Sequence, residues 1–280
     1  MSTDWSAASA VQDFCVEQIG RAARRPLVVG LQAPQGAGKT TIATRLLAAL
    51  PELGLRGASV SVDDFYLTRA EQLALAAAHP GNPYLEHRGY PGTHDIDLGE
   101  RTLAALRGLG TGPSTRVPVY DKSLHGGRGD RAPEAEWREV TGPVDLVILE
   151  GWMLGFEPIA ESQLPDPRLS FPNRALAGYD RWHRHLDAFI VLRPLDWNYA
   201  VKWRVEAEEN MKAQGKPGLS REAIEDYVRR FLPAYAVWAG RPPARIRHGQ
   251  TLVVEIDEQR RKVPSPGSFV PGPEDQEPRT

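Results

Sequence analysis

The chain has 280 residues, of which 41% are hydrophobic and 25% are charged, and this composition is typical of a globular protein and excludes a wholly disordered or fibrous one. Its formal net charge of -2 leaves no excess of positive charge for holding a nucleic-acid backbone, so we expect a small-molecule partner and no nucleic acid. Because the sequence contains neither a secretory signal nor an apolar run of the roughly 20 residues that cross a bilayer, we expect no membrane partner and a cytoplasmic protein.

Short apolar runs alternate along the chain with longer helical patterns, which predicts an α/β protein with a largely parallel sheet covered by helices. Cys15 lies in a first predicted amphipathic helix, and we expect its thiol to be buried. Thr68 and Asp97 each have a glutamate three residues later, so both are predicted to cap the start of a helix. In chain order the sequence predicts strands at 27–31, 58–62, 144–149 and 188–192, an edge or fifth strand at 252–256, and helices after residue 39 and at 68–79, 97–107, 174–186, 196–211 and 220–238.

Two long irregular segments, 79–92 and 108–131, are rich in Gly, Pro and Asn and also carry aromatic and charged side chains. Long irregular segments inside a domain are usually functional or disordered, and the content of these two favours a cap over a substrate. The segment 263–280 consists mostly of Pro, Gly, Ser and acidic residues, so we predict a flexible tail there.

The first predicted strand runs into a glycine-rich loop, QAPQGAGKTT at residues 32–41, and then into a helix. Gly36 and Gly38 let backbone N–H groups point inward around phosphate oxygens, where a side chain would obstruct their approach. The following helix adds the positive end of its dipole. Ala33 stands where the G-x-x-x-x-G-K-S/T pattern has its first glycine, and this is a small change if its φ stays negative.

Charged and hydroxyl side chains complete the loop. Lys39 supplies a positive charge to the terminal phosphates, and the hydroxyl of Thr40 can bind Mg²⁺. The third predicted strand is apolar until it ends in Glu150, a Walker B arrangement whose carboxylate can hold Mg²⁺ directly or through water. The sequence therefore predicts ATP and Mg²⁺ as cofactors, with Gly36, Ala37, Gly38, Lys39, Thr40 and Thr41 at the nucleotide and Thr40 and Glu150 at the metal.

The second predicted strand leads into two acidic residues, Asp63 and Asp64. The carboxyl end of a parallel strand beside a phosphate loop lies in the crevice where ligands bind in such sheets. A carboxylate there can accept the proton of an attacking substrate hydroxyl. Either acid could instead cap the next turn, and this alternative stays open for both.

Four segments together resemble the D-glycerate 3-kinase family of plants and fungi, and their combination is more specific than any single motif. They are APQGAGKTT at 33–41, DDFYLT at 63–68, YDKS at 120–123 with GRGDR at 127–131, and EGWMLGF at 150–156. The resemblance covers 27–238, and the family is similar to phosphoribulokinase, uridine kinase and pantothenate kinase. It implies the P-loop NTPase fold, a three-layer α/β/α arrangement with a mostly parallel sheet, as a single kinase domain over 1–262 with a substrate cap at about 68–143 and a helical lid at about 196–218.

The activity that this resemblance implies is transfer of the γ-phosphate of ATP to the 3-hydroxyl of D-glycerate, which gives 3-phosphoglycerate and ADP. Aligning the related kinases on Phe65 makes Asp63 the catalytic base. Asp64 stands where some relatives carry Ser or Gly, so its role stays open. Tyr66 belongs to the same motif, and we expect it beside the substrate.

The helix that opens at 196 resembles the lid of these kinases and carries two cations. Lys202 is expected at the phosphates of ATP, and Arg204 is expected to stabilise the transferred phosphoryl group together with Lys39. Helical salt bridges, for instance between Lys202 and Glu206, are the alternative for the lid cations.

Glycerate needs a cationic partner for its carboxylate and hydrogen-bonding groups for two hydroxyls, and the cap offers both. The segment 118–128 resembles the substrate-contacting Tyr-Asp and following His of uridine kinases, and 92–95 is a second polar turn that looks like a family feature. A solvated charged loop is the alternative for these segments. The predicted substrate contacts are Asp64, Tyr66, His94, Asp95, Tyr120, Asp121, Lys122, His125, Arg128 and Arg131.

Other functions stay open at this point. The nearest is a P-loop kinase for another small alcohol, such as uridine, pantothenate or a sugar phosphate. A nucleotide-dependent regulatory ATPase would use the same loop for binding rather than transfer, although the Tyr, Asp and Arg side chains of the cap argue against it. A degenerate structural protein is a weaker third possibility. The oligomeric state is not indicated by the sequence.

Overall fold

The computed structural model describes residues 6–111, 113–213 and 220–264. The strands in that part of the chain are β1 (Leu27–Gln32), β2 (Gly57–Ser61), β3 (Ser114–Val117), β4 (Tyr120–Asp121), β5 (Asp130–Arg131), β6 (Arg138–Thr141), β7 (Leu146–Gly151), β8 (Ala188–Pro194) and β9 (Thr251–Ile256). Five of them form the main sheet in the order β2-β7-β1-β8-β9, and every neighbouring pair is parallel. The five predicted strands are confirmed, with ends shifted by no more than two residues, and the last one lies at an edge.

The described helices are α1 (Ser6–Arg21), α2 (Lys39–Ala49), α3 (Arg69–Ala78), α4 (Ile96–Arg107), the single distorted turn α5 (Leu124–Gly127), α6 (Ser170–His183), α7 (Tyr199–Ala213), α8 (Arg221–Arg229) and α9 (Leu232–Trp238). Adjacent residues of each central strand point to opposite faces of the sheet. Val29 and Ile148 pack with α1 and α2, whereas Val28 and Val147 pack with α4 and α6. This is the predicted three-layer α/β/α arrangement.

The parallel register brings three chain segments together at the carboxyl ends of the strands, which form one edge of the sheet. Leu31 of β1 and Ser61 of β2 are both paired with Glu150 of β7. The loop after β1, the short helical turn Val62–Phe65 after β2 and the end of β7 therefore lie side by side. The cap lies beyond this edge and contains the small antiparallel pairs β3-β6 and β4-β5.

One predicted helix start is correct and another is wrong. Thr68 caps α3 in a capping box with Glu71, as predicted. The prediction that Asp97 caps the next helix is wrong, because α4 begins at Ile96 and its N-cap is Asp95, two residues before Asp97. The carboxylate of Asp95 accepts from the backbone N–H of Leu98 at 2.9 Å. Asp97 instead pairs with Arg181 of α6 at 2.6 Å.

Two proline positions explain the remaining differences among the helices. The predicted helix 220–238 is two helices, and Pro233 lies in the first turn of the second one, where its missing N–H is tolerated. The helix predicted from 174 begins at Ser170, with Pro172 again in the first turn. Proline marks the start of a helix at both places, and the pattern of apolar residues does not show this.

Cys15 is fully buried in α1, as predicted, and burial raises the pKa of its thiol to about 12. Within the described residues, every helix is too short or too polar to cross a bilayer. The backbone of Val263 still donates to the carbonyl of Glu255 at 2.8 Å. The rest of the predicted tail, 265–280, and positions 214–218 of the predicted lid lie outside the described residues.

Candidate active site

The loop between β1 and α2 is shaped by two glycines with positive φ, 76° at Gly36 and 94° at Gly38. Gly38 is the N-cap of α2, so the amino end of that helix opens on the loop. A Cβ on Gly38 would meet nothing within 4 Å, whereas one on Gly36 would lie 2.6 Å from the Cβ of Trp203. Ala33 is buried with a negative φ, so its methyl group causes no strain. The loop is therefore open at Gly38 and packed against α7 at Gly36.

The ammonium group of Lys39 lies within the turn of this loop. Its Nζ donates to the carbonyl oxygens of Ala33 at 3.0 Å and Pro34 at 3.1 Å. Burial lowers the pKa of Lys39, and the nearby carboxylates of Glu150 and Asp63 oppose this by favouring the charged form. A cation so enclosed can exchange carbonyl contacts for the oxygens of a bound phosphate.

Thr40 and Glu150 contact each other across the loop. The hydroxyl of Thr40 donates to Oε1 of Glu150 at 3.0 Å, and the carboxylate of Glu150 is buried. Mg²⁺ prefers oxygen ligands and is usually held by one or two protein groups together with substrate phosphates and water. Within the described residues, no group of three or more His, Cys, Asp and Glu side chains is arranged to hold a metal alone. One hydroxyl and one carboxylate therefore fit a Mg²⁺ that binds together with a nucleotide.

Asp63 lies in the turn after β2 and forms an ion pair with Lys122 of the cap. Burial raises the pKa of Asp63, but the ammonium of Lys122 and a hydrogen bond from Tyr66 outweigh it and hold the pKa at about 2. The carboxylate of Asp63 in turn raises the pKa of Lys122. Asp63 is thus ionised throughout the neutral pH range.

Asp64 has different surroundings from its neighbour. Its Oδ2 accepts from the backbone N–H of Ser61 at 3.1 Å and completes a capping box for the turn Val62–Phe65. Burial raises the pKa of Asp64 to about 6, and the charge of Asp63 acts in the same direction. These contacts support the capping alternative for Asp64 rather than a contact with substrate.

Tyr66 is buried under the cap between two other rings. It stacks on His94 with 4.4 Å between centroids and meets Tyr120 edge-on at 5.2 Å. Nδ1 of His94 lies 2.7 Å from the hydroxyl of Tyr179, and burial lowers the pKa of His94 to about 3. His94 is therefore a neutral packing residue behind Tyr66, which does not support the predicted contact between His94 and substrate.

Asp95 and Arg131 hold the cap to the start of α4. Nη2 of Arg131 lies 3.2 Å from the carboxylate of Asp95 and donates to the carbonyl of Tyr66 at 2.8 Å. Since Asp95 also caps α4, both charged groups are engaged inside the protein. This geometry supports structural roles for the two residues rather than the predicted substrate contacts.

Three further predicted contacts lie at the end of β4 and in the turn that joins β4 to β5. Asp121 accepts hydrogen bonds from the backbone and hydroxyl of Ser123 at 2.8 and 2.6 Å. His125 lies 3.3 Å from a carboxylate oxygen of Asp130, and the guanidinium of Arg128 contacts the ring of His87. The side chains of His125 and Arg128 are exposed, and the turn is held by its own local contacts.

The two lid cations have carboxylate partners in the structure. Lys202 pairs with Glu258, which follows β9, at 3.0 Å, and not with Glu206 as in the alternative interpretation. Arg204 pairs with Glu208 one turn later on α7 at 3.2 Å, which is the helical salt bridge of the alternative interpretation. A role for either cation at the nucleotide requires an exchange of these partners.

Two residues that the sequence did not single out lie near side chains that surround Asp63. Arg88 belongs to the irregular segment 79–92 of the cap, and Tyr227 belongs to α8. Burial raises the pKa of Tyr227, the charge of Arg88 lowers it, and the charge of Asp63 raises it. Arg88 belongs to a segment that the sequence predicts to be part of the cap over the substrate. Nothing in the sequence of α8 indicates that Tyr227 faces the site.

Comparison with known proteins gives several relatives, although no family model matches the sequence. The chain is 41% identical over 251 residues to the chloroplastic D-glycerate 3-kinase of Arabidopsis thaliana; this alignment covers 85% of the chain and 54% of that protein, so the chain spans about half the length of this relative. It is 34% identical to the kinase mug58 of Schizosaccharomyces pombe, over 85% of the chain and 91% of that protein. The solved structure of D-glycerate 3-kinase from Cryptococcus neoformans is similar with a TM-score of 0.84 at 33% identity, over 92% of the chain and 98% of that structure.

Proposed function

This chain belongs to the D-glycerate 3-kinase family of P-loop kinases, and we propose that it phosphorylates the 3-hydroxyl of D-glycerate with ATP to give 3-phosphoglycerate and ADP. The names of the relatives support the choice of acceptor. A fold alone does not determine a substrate, so the proposal also needs support from the site itself.

The nucleotide end of the site comprises the loop 36–41 with Thr40 and Glu150. We propose that the loop amides and Lys39 hold the β- and γ-phosphates, and that Thr40 and Glu150 hold Mg²⁺. When bound, this ion neutralises charge on the phosphates. The 3.0 Å contact between Thr40 and Glu150 supports a shared ligand for both side chains.

Asp63 is the proposed catalytic base. Its pKa of about 2 keeps the carboxylate ionised and able to accept the proton of the acceptor hydroxyl. So low a pKa makes Asp63 a weak base. In a loose phosphoryl-transfer transition state, however, the hydroxyl loses its proton late, when bonding to phosphorus has made it acidic, so a weakly basic carboxylate is sufficient.

The transferred phosphoryl group needs positive charge on its equatorial oxygens. Lys39 lies in the loop, and we propose that Arg204 leaves Glu208 to reach the phosphoryl group when both substrates are bound. Lys202 would release Glu258 in the same way to contact ATP. Exposure of about a third to a half of the two cationic side chains supports such an exchange of partners.

The observation that carries the proposal is the convergence of Lys39, Asp63 and Glu150 at the carboxyl ends of β1, β2 and β7. Both carboxylates are close enough to favour the charged form of Lys39. A phosphate-binding cation, a metal-binding carboxylate and a proton acceptor within one crevice are the parts that phosphoryl transfer to an alcohol requires.

A coupled assay for ADP tests this function. The purified chain is offered D-glycerate and L-glycerate separately, and the products 3-phosphoglycerate and 2-phosphoglycerate are distinguished. We expect turnover of D-glycerate to 3-phosphoglycerate, with uridine, pantothenate and a sugar phosphate as comparison acceptors. If the enzyme prefers one of those acceptors, that compound and not D-glycerate is the substrate. If ATP is consumed without any phosphorylated acceptor, the result favours the regulatory ATPase.

The compartment stays a prediction from the sequence. We propose a cytoplasmic enzyme whose partner is its small-molecule acceptor. One relative is named as chloroplastic. Fractionation of cells that express the native chain is the direct measurement.

A further inference from the structure

We infer that Arg88 binds the carboxylate of the acceptor and so selects an acidic alcohol, an inference that rests on the proposed function. Arg88 lies in the cap, and the backbone of the next residue, Gly89, is fixed at two points. Its N–H donates to the hydroxyl of Thr93 at 3.1 Å, and its carbonyl accepts from Nε1 of Trp152 at 3.2 Å. Since Trp152 follows Glu150 by two residues, the base of the Arg88 side chain is anchored to the floor of the site.

The guanidinium of Arg88 is held in one place by the cap. Its Nη1 donates to the carbonyl of Gly127 at 3.1 Å and also contacts the carbonyl of Arg128. Its central carbon lies 5.4 Å from the centre of the Tyr120 ring. A Cβ at Gly129 would lie 3.0 Å from Nη1 and 2.5 Å from the Tyr120 ring, so glycine at that position makes room for the guanidinium.

The charge of Arg88 lies close to the side chains that contact Asp63. Arg88 is close enough to influence Tyr66 and Lys122, the two side chains that contact Asp63, and also Tyr227. In glycerate, only two carbon atoms lie between the carboxylate group and the oxygen of the 3-hydroxyl. When that hydroxyl is at Asp63, the cation that binds the carboxylate must therefore lie within reach of the base. The guanidinium of Arg88 lies over the ring of Tyr120, which meets Tyr66 edge-on at 5.2 Å, and Tyr66 donates a hydrogen bond to Asp63.

Arg88 also differs from the other cations of the site because it has no carboxylate partner in the described part of the chain. Lys122, Arg131 and Arg204 each have a carboxylate within ion-pair distance, in Asp63, Asp95 and Glu208 respectively. Within residues 6–111, 113–213 and 220–264, no carboxylate lies within 4.0 Å of Arg88. A half-buried guanidinium without a carboxylate gains more from an incoming anion than a cation that must first leave its partner.

Arg128 is the competing candidate, since it also has no carboxylate within that distance in the described chain. Its side chain is exposed and contacts His87 on the outer part of the cap. Its charge lowers the pKa of His87. The geometry therefore favours Arg88, whose guanidinium lies over the Tyr120 ring that packs against Tyr66.

Steady-state kinetics with a neutral analogue test the inference. D-glyceramide keeps both hydroxyls of D-glycerate and replaces the carboxylate by an uncharged amide. For the wild type we expect kcat/KM to favour glycerate. In Arg88→Gln this preference should fall by roughly 10- to 150-fold, the range for loss of hydrogen bonds to a charged group, mainly through the KM of glycerate. Arg88→Lys keeps the charge without the bidentate fork and should lie between the two.

Two further variants sharpen the test. Arg116→Gln is the matched control, because Arg116 is another cap arginine that donates to two successive carbonyls, those of Glu134 and Ala135, and it should keep the wild-type preference. If Arg128→Gln loses the preference and Arg88→Gln keeps it, the inference is overturned in favour of Arg128. Should Arg88→Gln fail to fold, an unchanged preference in Arg88→Lys contradicts the inference instead. A wild type that phosphorylates no glycerate contradicts the proposed function, which is a separate result.

Discussion

The ammonium of Lys122 contacts the carboxylate of Asp63, 59 positions earlier in the chain, and this ion pair joins the cap to the edge of the main sheet. Because the pair opposes the effect of burial, the cap controls the charge of the proposed base. It also places a cap cation where the hydroxyl of an acceptor must come. The cap is therefore part of the chemistry of the site, and changes at Lys122 and Asp63 should have distinguishable effects.

Replacement of Asp63 by Asn should lower turnover by about 10² to 10⁴, the usual loss when a general base is removed. ATP binding should change little, because Asp63 does not belong to the nucleotide loop. Asp64→Asn is the matched control, since Asn can still accept the hydrogen bond from Ser61. The measurement is kcat with saturating substrates, together with the affinity for ATP. Equal losses of turnover in both variants would contradict the assignment of the base to Asp63.

Replacement of Lys122 by Met should change the pH profile. Without the ammonium, burial dominates and the pKa of Asp63 rises. A base acts when unprotonated, so kcat/KM of the variant should fall at a higher pH than that of the wild type as the solution is acidified. Lys122→Arg keeps the charge and should keep the wild-type profile. Profiles of the same shape for Lys122→Met and the wild type, after scaling, would show that Asp63 does not depend on this partner.

Asp64 should reduce the stability of the protein at neutral pH. Its folded-state pKa of about 6 lies above the ordinary value of 3.8 for an aspartate, so the folded state binds the proton more tightly than the unfolded state. Stability from this group is therefore present at low pH and is lost as the pH rises from about 4 through about 6. Because Asn does not ionise, Asp64→Asn should raise the free energy of unfolding at neutral pH by an amount on the order of 1–3 kcal/mol.

The measurement for Asp64→Asn is the free energy of unfolding of variant and wild type at pH 4.5 and pH 7.5. The free energy of unfolding of the variant minus that of the wild type should be larger at pH 7.5 than at pH 4.5. Glu71→Gln is a useful comparison, because hydrogen bonds from Thr68 lower the pKa of this exposed capping glutamate, the opposite direction from Asp64. A variant whose advantage is the same at both pH values would contradict a raised pKa for Asp64.

The nucleotide half of the site could be predicted from sequence because its parts are local. A glycine loop between a strand and a helix, and an acid at the end of an apolar strand, keep their geometry in any parallel sheet. The acceptor half depends on long-range contacts. Arg88 and Tyr227 reach the side chains around Asp63 from a loop and a helix that lie later in the chain, and no spacing in the sequence indicates this arrangement. Asp95 rather than Asp97 caps α4 for a related reason, since Arg181 of α6 binds Asp97.

A contact between the phosphate loop and the chain after β9 yields the final prediction. Nε of Arg260 donates to the carbonyl of Gly36 at 2.8 Å, and its guanidinium lies 5.1 Å from the centre of the Trp203 ring and pairs with Glu206 at 3.1 Å. Arg260 thus connects the loop to α7. With this contact absent, the loop amides should be less well ordered before ATP binds, so binding should be weaker.

Arg260→Asn tests this role without new backbone strain, because Arg260 has φ 63° and Asn tolerates that region. We expect the Kd for a non-hydrolysable ATP analogue to rise by about 2- to 13-fold, the range for one lost hydrogen bond, and the KM for the acceptor to change little. Glu255→Gln is the control, since it removes an ion pair with Arg193 on the same edge of the sheet but leaves Gly36 untouched. A lower melting temperature with unchanged ATP affinity would make Arg260 a fold-stabilising residue only, because a residue that positions the loop must alter the binding of the nucleotide.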